Sequence, residues 1–364
     1  MKILYISRLS SNIAAGLAWS VPAGVNAQSK IDDVLWINAS DAFIPHWANV
    51  SAYHNYKEYG GLKLENLPAP FSKPDLVVFE GFNFIQHAKL SRTLNKRCIP
   101  YVIVPRGALT YEAQHNHSMW KKRLANLLFL NKYVTKSSAI QFLTVGEREN
   151  SVGYNKNTNF ILPNGFDDPG KYKTSFSERS VRATFIGRLD MHHKGLDLLL
   201  NVLEKNKTLL DKKHFHLSIY GPKRHDYNKI KDLIVEKGIE KVAIIVDEIS
   251  GKEKENLLLS TDLFIMTSRL EGHPMGLIEA LAYGVPCLVS RGTNMYDEVL
   301  ASGAGWVCET DEDSIEGSLL RMLEETNTFN DKSLAARELA SKYQWDKLAQ
   351  QFHDKIIELK IVKE

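Results

Sequence analysis

Ten short apolar runs, separated by turn residues and helix-like spacing, constrain this chain more than any other feature. The first half carries "KILYIS", "DVLWIN", "DLVVFEG", "YVIVP" and "AIQFLTVG"; the second carries "ATFIGR", "HLSIYGP", "VAIIVD", "DLFIMTS" and "VPCLVS". Nearly continuous apolar runs rich in β-branched residues suit strands buried on both faces, which a parallel sheet covered by helices on each side supplies. The expectation is an α/β protein. With 364 residues the chain exceeds the length at which one hydrophobic core stops growing. Two tandem Rossmann-like, doubly wound parallel-sheet domains follow. Residues 163–180, "PNGFDDPGKYKTSFSERS", have the composition of a linker. Domains are therefore expected over 1–164 and 165–344. A last helical pattern within 345–364 sets Leu348, Phe352, Ile356 and Leu359 on one stripe. That helix could pack on either domain, and completing the first is the assignment made here.

Composition excludes several classes. Apolar residues make up 44% and charged residues 24%, the balance of an ordinary globular protein. No apolar stretch approaches a membrane span, and the run in "MKILYISRLS" is too short for a secretory signal. Cys98, Cys287 and Cys308 form no CxxC pair, so reduced thiols and a cytoplasmic setting are expected. Charge divides unevenly: residues 1–164 carry 18 Lys and Arg against 10 Asp and Glu, and the remainder 28 against 33. Residues 113–146 lack Asp and Glu altogether. Within them, Trp120 and Leu124 share a helical stripe flanked by Lys121, Lys122 and Arg123, and Lys132 and Lys136 follow. Residues 118–138 thus read either as an ordinary domain helix or as a basic amphipathic helix for an anionic membrane surface. No nucleic-acid-binding motif accompanies the charge, and no such partner is expected.

The stretch "SRLEGHPMGLIEALAYGVPCLVS", residues 268–290, reads as loop, helix and strand. In doubly wound sheets such loops lie at the carboxyl ends of strands, where ligands bind. Free amides at a helix start favour an anion. Glu279, expected in the first helical turn, would repel a phosphate but could accept hydrogen bonds from a vicinal diol. Glu271 could reach hydroxyls elsewhere on the same ligand. One molecule with a diol, a diphosphate and a second polyol is a nucleotide sugar. Spacing alone leaves open that Glu279 merely caps its helix and Glu271 is a solvated loop residue.

"EGHPMGLIEALAYGVPCLVS" resembles the E-x7-E signature of retaining glycosyltransferases of family 4, which have the GT-B fold with a cleft between its two domains. "FIGRLDMHHKGLDLLL", "ILPNGFD", "LSIYGP" and "FLTVGERE" are similar to that family's strand-end loops. The resemblance implies a metal-independent hexosyl- or glycosyltransferase of the EC 2.4 class that uses a UDP- or GDP-sugar. Arg188 and Lys194 would neutralise the leaving diphosphate, next to Gly187. Amides near Met275, Gly276 and Leu277 would bind the same group, and Gly272 and His273 would line the donor. Glu279 would hold the ribose and Glu271 the sugar. Gly16 matches loosely a glycine-rich loop near the phosphates, although the family has paired glycines where this chain has Ala15-Gly16. Where many members carry a histidine, this chain has Arg106, which cannot act as a base; it and His46 are candidates for acceptor binding.

The acceptor implied is a glycan or a polyprenyl-diphosphate-linked sugar, in a bacterial surface-polysaccharide pathway. The enzyme would work in the cytoplasm, or peripherally on the inner face of the cytoplasmic membrane. No cofactor or metal is expected. The Asp311–Asp313 triplet starts a helical pattern, where acids are common for dipole reasons, and His192 and His193 point in different directions. A nucleotide-sugar epimerase, a phosphorylase, or a noncatalytic sugar-nucleotide-binding partner remain alternatives on the same architecture.

Overall fold

The computed structural model describes residues 1–11, 16–82, 84–115, 130–151, 153–154, 157–177 and 179–362, with backbone alone for 112 and 115. The chain divides into two compact units, Met1–Phe166 with Gln344–Glu364, and Asp167–Tyr343.

Among the described residues, the first unit carries a seven-stranded sheet of Lys2–Ser7 (β1), Asp33–Asn38 (β2), Tyr53–Asn55 (β3), Leu76–Glu80 (β4), Tyr101–Val104 (β5), Ala139–Phe142 (β6) and Asn159–Ile161 (β7). The second carries six: Val181–Ile186 (β8), Phe215–Tyr220 (β9), Ala243–Val246 (β10), Leu263–Met266 (β11), Cys287–Ser290 (β12) and Gly305–Cys308 (β13). The spatial orders are β3-β2-β1-β4-β5-β6-β7 and β10-β9-β8-β11-β12-β13. Both sheets are parallel α/β layers, as the apolar runs imply. Three strands escaped the sequence reading. β3 and β7 have three residues each, too short for a periodic signal, and β13 begins on a glycine.

Alternation along each strand explains why whole runs are apolar. Ile3 and Tyr5 of β1, with Leu76 and Val78 of β4, pack into one layer, while Leu4, Ile6, Val77 and Phe79 pack into the opposite layer. The first layer is covered by helices Leu17–Gln28 and Trp345–Glu358; the latter buries Leu348, Phe352 and Ile356. The chain enters this last helix through a bridge between Phe166 and Gln344. Trp345 then lies so near Gly24 that a Cβ there would sit 3.2 Å from its ring.

In each sheet the chain winds outward from a central strand and then returns to that strand's other side. The reversals fall between β1 and β4 and between β8 and β11. Loops leaving the carboxyl ends of those strands diverge there and leave a crevice. Arg188 and Lys194 follow β8, Glu271 follows β11, and Glu80 ends β4.

Candidate functional site

In the second unit, the loop after β8 turns tightly into helix Leu196–Lys212, with Lys194 N–H donating to Asp190 O at 2.9 Å and Gly195 N–H to His192 O at 3.1 Å. Gly195 has φ of +61°, and a Cβ there would stand 2.0 Å from Thr267 O. Only glycine lets this helix start press against the end of β11. The contact is fastened on the other side by Arg269, which donates to His192 O and grips both carboxylate oxygens of Asp197 at 2.6 and 2.8 Å. Gly292 closes the frame, since a Cβ would meet Ser268 O at 2.3 Å and Arg269 O at 2.4 Å.

This frame brings Lys194 Nζ to 2.5 Å from Glu271 Oε1, which also accepts from Ser268 Oγ at 2.6 Å. Both charged side chains are about nine-tenths buried. Glu271 is anchored by its backbone as well, through its N–H to Gly292 O and through Asn294 Nδ2 to its own carbonyl. A pair like this is held by geometry, and removing one partner would strand the other charge away from water. Arg188, one residue past Gly187, is exposed and makes no hydrogen bond or ion pair among the described residues. Burial pushes the nearby Asp190 carboxyl up, but the His193 amide, the His193 ring and the Arg188 charge together hold it below its usual range. A Cβ built on Gly187 lies 3.9 Å from Lys194 Cε, and one on Gly276 lies 3.1 Å from Ile186 O. Gly187, Lys194, Glu271 and Gly276 are therefore brought together where the sequence placed a diphosphate.

Two expectations need correction. Helix Met275–Ala282 begins at Met275, because Pro274 serves as its N-cap, so Glu279 stands in the second turn and not the first. The amides of Met275 and Leu277 do not point freely outward; they donate to His273 O at 3.0 Å and Pro274 O at 2.9 Å, and Leu277 is fully buried. Glu279 pairs through Oε2 with Lys254, on helix Gly251–Ser260. No sequence signal marked Lys254, whose partner stands on a different helix. His273 lies against the Tyr343 ring, with centroids 5.7 Å apart, and Gly272 is exposed.

In the first unit, Arg106 takes a left-handed backbone (φ +52°) and is caged. Its Nε donates to Glu80 Oε2 at 2.7 Å, and its Nη1 to Asn164 Oδ1 at 2.6 Å and to Ser20 Oγ at 3.3 Å. Beside it, buried Glu147 accepts the Gly107 N–H and, at 2.7 Å, the Leu143 N–H. Burial raises the Glu147 pKa, a rise that those amides and the Arg106 charge oppose. His46 stacks on Trp19 with ring centroids 4.0 Å apart. Gly16 precedes helix Leu17–Gln28 with ordinary helical dihedrals, and a Cβ there would meet nothing within 4 Å, so the fold itself does not require glycine. Its neighbour Ala15 lies outside the described residues.

Among the described residues no three His, Cys, Asp or Glu side chains gather as a metal would need, and Asp311 caps helix Glu312–Glu324 by accepting the Ser314 N–H. Cys287 and Cys308 are buried free thiols, and Cys98 is exposed. No helix of the described residues is long and apolar enough to cross a membrane. Of the basic stretch 118–138, residues 118–129 lie outside the described residues; Lys132 and Lys136 are exposed.

Residues 171–339 match the family described as "Glycosyl transferases group 1". A protein of Methanocaldococcus jannaschii described as an uncharacterized glycosyltransferase is 26% identical over 171 residues, 46% of this chain and 42% of that relative. The chain thus spans less than half the length of that curated relative. HepE of Anabaena, solved in complex with UDP, superposes with a TM-score of 0.72 at 15% identity, covering 98% of this chain and all of the other. The lipopolysaccharide outer core galactosyltransferase WaaB, solved in its apo form, gives 0.70 at 17% identity, over 98% of this chain and 99% of its own. These two structures share the GT-B fold of paired parallel-sheet domains.

Proposed function

We propose that this protein is a retaining glycosyltransferase of family 4, which moves a sugar from a nucleoside-diphosphate donor to a glycan or lipid-linked acceptor. The observation that carries the reading is the Lys194–Glu271–Ser268 constellation. It is assembled from two loops at a topological switch point, near an exposed Arg188 that is unpaired among the described residues, within the residues that match the glycosyl transferase family. UDP bound to HepE supports a UDP-sugar over a GDP-sugar, and WaaB supports a role in surface polysaccharide assembly.

Cleaving the bond from sugar to diphosphate puts negative charge on the leaving oxygen and positive charge on the anomeric carbon. Cations fixed toward the leaving group are the main requirement, and losing one such donor costs about 2.7 to 4 kcal/mol. Arg188 and Lys194 supply them. When the diphosphate arrives, Lys194 gains a second anion, and Glu271 is freed to accept hydrogen bonds from the sugar hydroxyls. Glu279, held by Lys254, offers its remaining carboxylate oxygen to the ribose diol. The acceptor oxygen attacks on the face the diphosphate leaves, a donor phosphate oxygen takes its proton, and configuration is retained. By the family resemblance no metal takes part. A cytoplasmic location, with residues 118–138 against anionic lipid, completes the proposal; binding to anionic vesicles that weakens with salt tests that part.

The direct test is product analysis with UDP- and GDP-sugars. Transfer or donor hydrolysis with the starting anomeric configuration supports the reading. Isomerised free donor would indicate an epimerase, and an inert donor would indicate a binding partner.

A further inference from the structure

Helix Gly251–Ser260 follows β10 in the second unit and turns Leu258 into the core. Lys254 stands four residues earlier on the same face, where helical spacing favours an apolar residue. The charges around it are satisfied elsewhere or stand in water: Glu255 takes Lys252 at 2.7 Å and Lys171 at 3.1 Å, and Glu253 is exposed. Lys254 instead reaches helix Met275–Ala282, where its Nζ donates to Glu279 Oε2. A lysine on that face gives up hydration that a leucine would not lose, and one acid is what it gains.

This pair differs from Lys194–Glu271. The side chains of Lys194 and Glu271 are about nine-tenths buried, whereas those of Lys254 and Glu279 are 24% and 35% exposed, so a ligand can reach both partners at once. Nζ has two further N–H groups and Glu279 a second oxygen, and none of these meets a partner among the described residues. A hydroxyl both donates and accepts, a carboxylate only accepts and an ammonium only donates. Held side by side, the two groups satisfy both sides of a hydroxyl, or one side of each of two neighbouring hydroxyls, and neither charge is stranded.

We propose that Lys254 is the second jaw of the ribose seat: its ammonium donates to an oxygen of the diol whose hydroxyl hydrogen goes to Glu279, and the pair thereby selects ribonucleotide over deoxyribonucleotide donors. The proposal rests on the nucleotide-sugar reading, in which Glu279 takes the ribose, and Lys254 adds the donor that a lone carboxylate lacks. The lysine also fixes which carboxylate oxygen is left for the ligand. Selection is read as a ratio of affinities within each variant. A general loosening of the helix weakens both nucleotides alike and leaves that ratio unmoved.

Calorimetric titration of the full chain with UDP and GDP, and with their 2′-deoxy and 3′-deoxy analogues, tests it. The wild type is expected to bind UDP or GDP about 30-fold more tightly than the weaker of its deoxy analogues, within the range of one charge-assisted hydrogen bond. Lys254→Met should lower that ratio to about threefold or less. Lys254→Gln, which keeps an N–H donor without the charge, should fall between, and it decides the matter if Lys254→Met does not fold. Glu279→Gln separates the two readings. If it abolishes the preference while the Lys254 variants keep the wild-type ratio, the ribose seat stands and the role of Lys254 is refuted. If the wild type binds UDP or GDP no more tightly than the deoxy analogues, the selection is refuted while nucleotide binding stands. If neither UDP nor GDP binds, the nucleotide-sugar reading and the role of Lys254 fall together.

Discussion

The two units share a strand order and a reversal point, yet they treat charge at that point differently. In the second, Lys194 and Glu271 face each other from two loops, and Arg188 stays exposed, with no hydrogen bond or ion pair among the described residues. In the first, Arg106 is bound by Glu80, Asn164 and Ser20 of its own unit, and the group left exposed is aromatic. An exposed cation suits an incoming anion, while a buried cation held by its own carboxylate serves to fasten the loops around it. The same topology therefore leaves its charge accessible in one unit and enclosed in the other.

Mutating Arg188 to alanine sharpens that contrast most. Turnover of a nucleotide-sugar donor is expected to fall about 100- to 1000-fold. The unfolding midpoint should move little, since Arg188 is exposed and makes no hydrogen bond or ion pair among the described residues. Equal turnover in steady-state assays would erase the distinction between the units. Next in size is Glu80→Ala, which leaves buried Arg106 without its carboxylate and should cost about 3 kcal/mol in urea unfolding, with the affinity for UDP unchanged. A loss of UDP affinity there would mean that the first unit also handles the diphosphate.

Legibility in the sequence follows the same division. In the second unit, Gly187-Arg188, Lys194-Gly195 and Glu271 stand in short loops, where backbone constraints force particular residues into fixed spacings, and Glu279 follows in the next helix. Gly195 and Gly292 have no space for a Cβ, so those loops could be read from composition and order. Lys254 could not, because its partner Glu279 lies on a different helix 25 residues along the chain, and Ser268 could not, because a serine three residues before a glutamate is unremarkable in a loop. The start of the helix at Met275 was misplaced because Gly276 reads as loop, whereas in the structure it is a helical residue pressed close to Ile186 O. In the first unit the parallel sheet was plain from its apolar runs. The Arg106 cage was not, since Ser20, Glu80 and Asn164 are 86, 26 and 58 residues from Arg106 along the chain. Pro22 was the available clue to the ring stack, as a proline beyond the first turn of a helix leaves the carbonyl four residues earlier without its helical donor, and His46 and Trp47 meet Ala18 O.

Pro22→Ala makes a smaller, finer test. An N–H at position 22 would compete with His46 and Trp47 for Ala18 O, so stability in urea unfolding should change by no more than about 1 kcal/mol. A larger loss would mean that the proline fixes more of the helix than this one carbonyl. The smallest effect is expected at the opposite end of the first sheet, where buried Asp32 binds the N-terminal amine, Gln28 and His353. Burial pushes its carboxyl up, but those three partners outweigh that and hold it below 3.8. A carboxylate with a lowered folded pKa stabilises above its unfolded value and loses that contribution as pH falls through the folded one. The stability gap between wild type and Asp32→Asn should therefore be held in mildly acidic solution and close as pH falls below 3.8, as followed by urea midpoints across pH. A gap that widened in acid would contradict the assignment.

Calorimetric binding of nucleoside diphosphates to wild type and to Lys194→Met decides most directly whether the paired charges of the second unit are a seat for a diphosphate. UDP or GDP is expected to bind the wild type, the free nucleoside to bind far more weakly, and Lys194→Met to lose at least about tenfold in affinity. Equal affinity for nucleoside and diphosphate, or a Lys194→Met variant that binds as the wild type does, would contradict it.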